Sequence, residues 1–449
     1  MPARRLPNQA LRSLLAEAGW TQESLARNVN LLGRETGVHL EYDRTSVSHW
    51  LAGVRPRPES VALIEEALSR RLSRPVTAAM LGLAPDPSVP DPAAAARGCG
   101  CAAHRLAEVS SAELDPARTR ALRHIPFRLA DTEHVGIPWG ARQPCGNGEE
   151  RVGRSHVLLL DSAVSAFAPF VDCLGGEQGR RALATLLAES VSAWLRAPCA
   201  PAVRDGLLIN TARLTLLISR MHTDIRAQGL AQRYLRLSLR LAAEANDRAT
   251  TAIALRLMST QAHDLGHRRA ALRLAEQAVR IGGTAPASVQ AFALAQLAVA
   301  QAHDGDRARA LASLHDAEQL ATTAESTPGP FGSYPLSAFA YQQAMALRGL
   351  GDQRAAVRAL ETSLSLRPGR ELRSRALTQA QLATALLSLG QIDAACAAWQ
   401  KFLDDYPLIQ SGTADGLLGK LRRDLRPHRR SPAAGLVLRR AGVGPYRAG

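Results

Sequence analysis

Eight side chains near the N-terminus combine types suited to contact with a nucleic acid. Arg44, Thr45, Ser46, Ser48 and His49 stand together, Gln22 precedes them, and Arg55 and Arg57 follow. Arginine offers a planar fork to a guanine edge or a phosphate, and short hydroxyls and an imidazole reach base edges and backbone oxygens. This is the chemistry of recognition, not of bond making. A second polar set recurs in the C-terminal half: Gln261, Gln296, Gln301, Tyr341, Gln342 and Gln381. Such groups pair with a peptide backbone or a polar metabolite; the competing reading is that they are merely solvated. Groups for catalysis do not assemble. The sequence holds no G-x-x-x-x-G-K-[ST], no H-E-x-x-H, no G-x-S-x-G and no strand-associated G-x-G-x-x-G. His263-Asp264 and His303-Asp304 recur at one repeat position within Q-A-H-D, so repetition explains them better than acid–base work. Cys99, Cys101 and His104 lack the second ligand pair of a zinc site. No catalytic residue, metal or cofactor is expected, and the chain is not expected to be an enzyme.

The first set needs a helix to present it. Thr21 caps a helix that turns Leu25, Ala26 and Val29 inward. Asp43 caps a second, Arg44 to Leu51, with Val47, Trp50 and Leu51 on its inner side and the polar set opposite. Gly53, Pro56 and Pro58 end it. The first of these helices extends to Thr36, with Gly37 as its stop, and a closing helix follows from Arg57 to Leu72. The elements T-Q-E-x-L-A (Thr21 to Ala26), R-T-S-V-S-x-W (Arg44 to Trp50) and, more loosely, G-x-R-x-P (Gly53, Arg55, and Arg57 or Pro58) resemble the lambda-repressor-like, or XRE-type, helix-turn-helix domains. The resemblance implies that Gln22 touches a phosphate and that Arg44, Thr45, Ser46, Ser48 and His49 face DNA. The sequence departs from that pattern at Leu51, where an acidic residue is usual, and in the long segment Asn30 to Asp43.

The second set lies in repeats. Gly266, Gly305, Gly351 and Gly390 each precede an alanine by five residues: Ala271, Ala310, Ala356 and Ala395. Nine residues on stand Ala275, Leu314, Leu360 and Trp399, and twelve on stand Ala278, Ala317, Ser363 and Phe402. Seven residues before each glycine is Ser259, Ala298, Ala344 or Ala383. Small residues at these places let antiparallel helices approach closely. The pattern resembles the tetratricopeptide repeat, with a fainter unit over Thr211 to Ala245. Its inner face would come from the first helix of each unit.

Composition agrees with an all-α chain: 449 residues, rich in Ala and Leu, only 4% aromatic, and with Lys401 and Lys420 as the only lysines. The net charge of +15 concentrates in residues 420 to 449, which carry nine basic side chains and one acidic, whereas residues 1 to 75 carry eleven and eight. The end of the chain either lies on nucleic acid or is a solvated tail. No signal peptide and no run of about 18 apolar residues is read, so a cytoplasmic location with reduced thiols and no membrane contact is expected.

The reading is therefore all-α: an N-terminal lambda-repressor-like helix-turn-helix domain (1–83), a linker (84–103), a connecting segment (104–153), an α-solenoid of tetratricopeptide-like repeats (154–428) and a basic tail (429–449). Val157 to Phe167 reads as a buried helix. The stretches Tyr42 to Pro58, Gly229 to Asp247, Gln261 to Glu276 and Lys401 to Pro407 resemble a group of actinobacterial regulators of differentiation and antibiotic production. That resemblance implies transcription control, often repressive and affecting sporulation. The expected partners are double-stranded DNA, a second copy of the chain, and a peptide, small-molecule or protein effector. The alternative is a tetratricopeptide interaction scaffold that does not read DNA.

Overall fold

The computed structural model describes residues 6–83, 101–133, 137, 139–140, 151–323 and 331–442, and every regular element among them is a helix. Four helices form the head: α1 (Gln9–Ala18), α2 (Gln22–Glu35), α3 (Arg44–Leu51) and α4 (Pro58–Leu72). Their apolar sides meet in one core that includes Leu11, Leu25, Val29, Val47, Trp50, Ile64 and Leu68. The caps sit where the sequence puts them. Thr21 Oγ1 accepts from the Ser24 N–H at 3.1 Å, and Asp43 accepts from the Ser46 N–H at 2.8 Å. Gly37 and Gly53 take positive φ of 77° and 97°. The long connection from α2 to α3 is pinned by Asn30, whose side chain bonds the Tyr42 backbone N–H and C=O at 2.9 and 2.8 Å.

The segment after the linker is helical. Helices α5 (Ala102–Leu114), α6 (Pro116–Arg123) and the single turn α7 (Ala130–Glu133) lead to α8 (Arg154–Cys173). Then come α9 (Arg180–Thr185), a π-helical stretch (Leu186–Val191) and α10 (Ser192–Trp194). The expected linker lies outside the described residues at 84–100, and its last residues already belong to α5, with Cys101 at the cap.

Five antiparallel helix pairs follow: α11 (Pro201–Asp224) with α12 (Gln228–Glu244), α13 (Arg248–Asp264) with α14 (Arg268–Gly282), and α15 (Ala287–Asp304) with α16 (Arg307–Thr323). The last two are α17 (Leu336–Gly349) with α18 (Gln353–Leu366), and α19 (Leu372–Ser388) with α20 (Ile392–Asp405). Packed helix pairs in series are consistent with an α-solenoid. The four turn glycines have φ between 75° and 91°, and a Cβ on any of them would meet nothing within 4 Å, so conformation and not crowding calls for glycine. The small positions Ser259, Ala298, Ala344 and Ala383 are fully buried, as are Ala271, Ala310, Ala356 and Ala395.

The array returns on itself. Asp224, at the end of α11, is fully buried and accepts from the Gly176 N–H at 2.7 Å, Arg373 Nε at 2.7 Å and the Ser411 hydroxyl at 2.7 Å. Asp172 of α8 accepts from Arg220 at 2.9 Å and Ser374 at 3.1 Å. The last repeat is thus fastened to the helices before the first. Gly175 (φ 105°) allows this closure, because a Cβ there would fall 2.2 Å from the Gln410 carbonyl oxygen.

Two expectations are corrected. Helix α8 buries only Leu160, Val164 and Val171, and Leu158 and Leu159 are 58% and 49% exposed. An 18-residue window of this 20-residue helix, at mean hydropathy 1.3, is also long and apolar enough by length and composition to cross a membrane, contrary to the expectation that no such run exists. It packs on α11, which is why one stripe suffices to hold it. The expected tail is in part ordered: α21 (Gly412–Leu425) packs on α19 and α22 (Pro432–Gly442) packs on α20, with Leu421, Leu425, Ala434, Val437 and Ala441 buried. Residues 443–449 lie outside the described residues.

Candidate functional sites on the head and the repeats

The head presents α3. Its apolar side chains Val47, Trp50 and Leu51 hold the core, and Tyr42 packs edge-on against Trp50 at 4.9 Å between centroids. Arg44, Thr45, Ser48 and His49 are left exposed, as are Arg55 and Arg57; Gln22 is half-buried at the start of α2. Ser46 is half-buried in the first turn of α3. Its hydroxyl donates to Asp43 at 2.8 Å and closes a capping box, so it serves the helix end first. The Ser46 N–H and hydroxyl also hold the Asp43 carboxyl below its ordinary range. Arg55 spends one donor on the Leu83 carbonyl at 3.1 Å.

A helix of eight residues is about 12 Å long, enough for its first two turns to enter a major groove. The exposed set offers a guanidinium, two hydroxyls and an imidazole on one short element. That arrangement can donate to phosphates and to purine edges.

The head is not free of the body. Helix α4 carries two buried carboxylates, Glu65 and Glu66, 4% and 1% exposed. Glu66 meets His267 Nε2 at 2.7 Å and Arg70 Nε at 2.8 Å, and Glu65 meets Arg128 at 2.9 Å. His124 Nδ1 lies 2.5 Å from the Thr36 carbonyl oxygen. His267 is the residue before α14 and stacks on Phe127 at 5.2 Å. One turn of the repeat array therefore holds the head, while the α3 set stays in solvent. Sequence reading missed this contact. Two adjacent acids set between the apolar pairs Leu63-Ile64 and Ala67-Leu68 were its signal.

Another buried knot ties the connecting segment to the array. Glu113 of α5 accepts from Tyr234 at 2.8 Å, meets His222 Nε2 at 3.1 Å and is bonded by Arg180. Burial opposes the charge on Glu113, yet His222 and Arg180 outweigh it and hold the carboxyl below its ordinary range. Burial acts the other way on His222 and lowers it, and it raises the Tyr234 hydroxyl well above its usual value.

The expected ligand-facing residues of the repeats divide. Gln261, Gln296 and Gln301 are buried at 3%, 1% and 7% exposure, and each amide bonds a neighbouring helix, although the Gln261 Oε1 has no partner among the described residues. Gln261 donates to the Gln228 carbonyl at 2.8 Å, Gln296 bonds Ser259 at 3.2 Å and Thr260 at 3.1 Å, and Gln301 accepts from Ser313 at 2.8 Å. They clamp neighbouring helices and do not line an open groove. Tyr341, Gln342 and Gln381 are half-buried, and Gln381 accepts from Arg348. His263 and His303 meet edge to face at 4.4 Å from adjacent repeats, as their shared register requires.

Residues 11–84 match the SP15 N-terminal domain, and residues 381–408, over α19 and α20, match a tetratricopeptide repeat. The head's match is thus to that domain and not to the lambda-repressor-like family that its motifs resemble. Tetratricopeptide repeats generally mediate protein–protein interaction, and the match supports such a role for the array. No curated protein matches the chain.

Proposed function

We propose that the protein is a sequence-specific DNA-binding transcriptional regulator, acting as a repressor, whose repeat array receives an effector or partner. The head would use α2 and α3 as a helix-turn-helix, with Arg44, Thr45, Ser48 and His49 at the DNA. The observation that carries this reading is the contrast within α3. The helix is capped and packed on one side by Val47, Trp50 and Leu51, while its polar side is exposed and, among the described residues, makes no side-chain hydrogen bond or ion pair beyond the cap. The array would act as lever, because the head is held to it through Glu66 and His267. A homodimer is proposed as well, since two half-sites need two heads. The exposed Leu158 and Leu159 of α8 support that surface as its contact. The protein is taken to be cytoplasmic and without enzymatic activity.

Gel-shift titration against fragments of the native genome, at fixed salt, is the test. Arg44→Ala and His49→Ala are each expected to weaken specific binding by about 1–3 kcal/mol where the side chain reaches a base edge. Unchanged affinity in both variants, or binding with no sequence preference, would sink the reading. The second reading, a scaffold that assembles proteins on its repeats without reading DNA, is favoured by the tetratricopeptide match and would then stand.

A further inference from the structure

Three arginines are buried among the described residues: Arg180, Arg204 and Arg256, at 6%, 9% and 6% exposure. Arg180 is paired with Glu113 and Glu177, and Arg204 with Glu244 at 2.8 Å. Among the described residues Arg256 has no carboxylate in ion-pair contact. Its one hydrogen bond runs from a terminal nitrogen to Thr260 Oγ1 at 3.1 Å, and its Nε has no partner. The guanidinium lies over the Phe292 ring, 3.9 Å from the centroid.

Tyr334, on the approach to α17, closes the same cluster. Its ring packs edge-on against Phe292 at 5.3 Å, its hydroxyl is buried without a partner, and it interacts electrostatically with Arg256. Burial lowers Arg256 to about 10 and raises the Tyr334 hydroxyl above its usual value, so the cation and the neutral phenol both persist at neutral pH. A buried charge is costly without a counter-charge, and a ring face compensates only part of that cost. The nearest charged neighbours do not supply the rest, since Arg220 adds repulsion and Asp264 is not in ion-pair contact.

We propose that Arg256 and Tyr334 form the anion-binding end of an effector site in the repeat array, and that the ligand group they receive is a carboxylate. The unused Nε–H, the remaining guanidinium donors and the phenol O–H all donate, and a carboxylate is the planar acceptor that a guanidinium fork fits. Phe292 is the floor common to both donors. The cluster spans α13, α15 and the approach to α17, so an occupant touches three successive repeats at once. Gln296 and Thr260, hydrogen-bonded to each other beside Arg256, couple the first two of them. The proposal deepens the sensor reading above and rests on it only for its regulatory consequence; carboxylate binding itself is read without DNA.

The test uses purified full-length protein with three probes: sodium acetate, tetra-alanine with a free C-terminus, and tetra-alanine amide. Ionic strength is held constant with sodium chloride. Thermal unfolding and isothermal titration should show saturable binding of at least one free acid and none of the amide. Arg256→Met should weaken that binding by about tenfold or more, and Tyr334→Phe by several-fold, as expected for loss of charge-assisted and neutral hydrogen bonds respectively. Acetate alone would mark a small organic acid, and the free peptide a chain terminus. A wild-type protein that neither free acid stabilises, or a response that Arg256→Met leaves intact, overturns the proposal. If Arg256→Met does not fold, Tyr334→Phe decides, because it removes a single oxygen; an unaltered response in that variant overturns the proposal too. Failure here leaves the DNA reading of the head standing, and failure of DNA binding leaves the carboxylate titration readable.

Discussion

The polar side chains of α3 and those of the inner repeat helices look alike in sequence and end in opposite places. Thr45, Ser48 and His49 are exposed; Gln261, Gln296 and Gln301 are buried and hydrogen-bonded to neighbouring helices. The difference lies in the number of neighbours. Helix α3 packs on one core and has water on its other side. A helix within the array has its own partner, the preceding pair and the following pair around it, so little of its circumference stays wet. A polar group placed there must find a protein partner, because leaving it unsatisfied costs about 1–3 kcal/mol. Polar side chains are thus an exposed surface in one region and internal fasteners in the other.

Glu113→Leu should break the body most severely. It leaves His222 without its partner and Arg180 with only the half-exposed Glu177. Loss of about 3–5 kcal/mol is expected from the urea midpoint of the array, the usual cost of orphaning one side of a buried pair. A loss below about 1 kcal/mol would mean that the knot is not what joins α5 to the array.

Gln296→Ala should cost about 1–3 kcal/mol by the same measurement, because Thr260 and Ser259 lose a shared partner inside the interface. Ser48→Ala, on the exposed side of α3, should stay within about 0.5 kcal/mol. Equal effects of the two substitutions would erase the distinction between fastener and surface.

His267→Ala tests how the two regions are joined. Glu66 keeps Arg70, so the head should remain folded while its hold on α14 weakens. Faster amide exchange along the outer side of α4, with the head core protected as before, is the expected pattern. Unaltered exchange would assign the docking to Arg128 and His124 instead.

A pH dependence is expected between neighbouring repeats. Burial, then the nearby His263, Arg268 and Arg348, pull His303 from 6.5 down to about 4. Between those values the unfolded chain binds a proton that the folded chain does not. Stability should therefore fall as pH drops from about 6.5 to about 4. His303→Asn should flatten this part of the profile. A profile identical in the variant would place the titration elsewhere.

Local signals were legible because they act over a few residues. The α3 bounds, the caps at Thr21 and Asp43, the stop at Gly37 and the buried register of the repeats all follow from helical period, hydrogen-bonding side chains and glycine geometry. One unit stayed faint for a reason that can be named. Arg226, with φ 68°, occupies the turn where the other four repeats have glycine. Ala231, Leu235 and Ser238 follow it at the repeat offsets, and Ser219 precedes it, all buried. An arginine in that backbone region is strained, and only its packed neighbours hold it there.

The sequence by itself determined where helices begin and end, which side of each is apolar, and how the pairs repeat. Tertiary structure alone decided what meets the remaining sides. It left α8 half-exposed although its composition is that of a buried helix, and it folded much of the basic end into two capping helices. It also closed the array through Asp224, Arg373 and Ser411, placed Glu66 against His267, and left Arg256 buried with no carboxylate partner among the described residues. The partners in these contacts stand between about 150 and 200 residues apart, well beyond the few turns over which helical periodicity carries information.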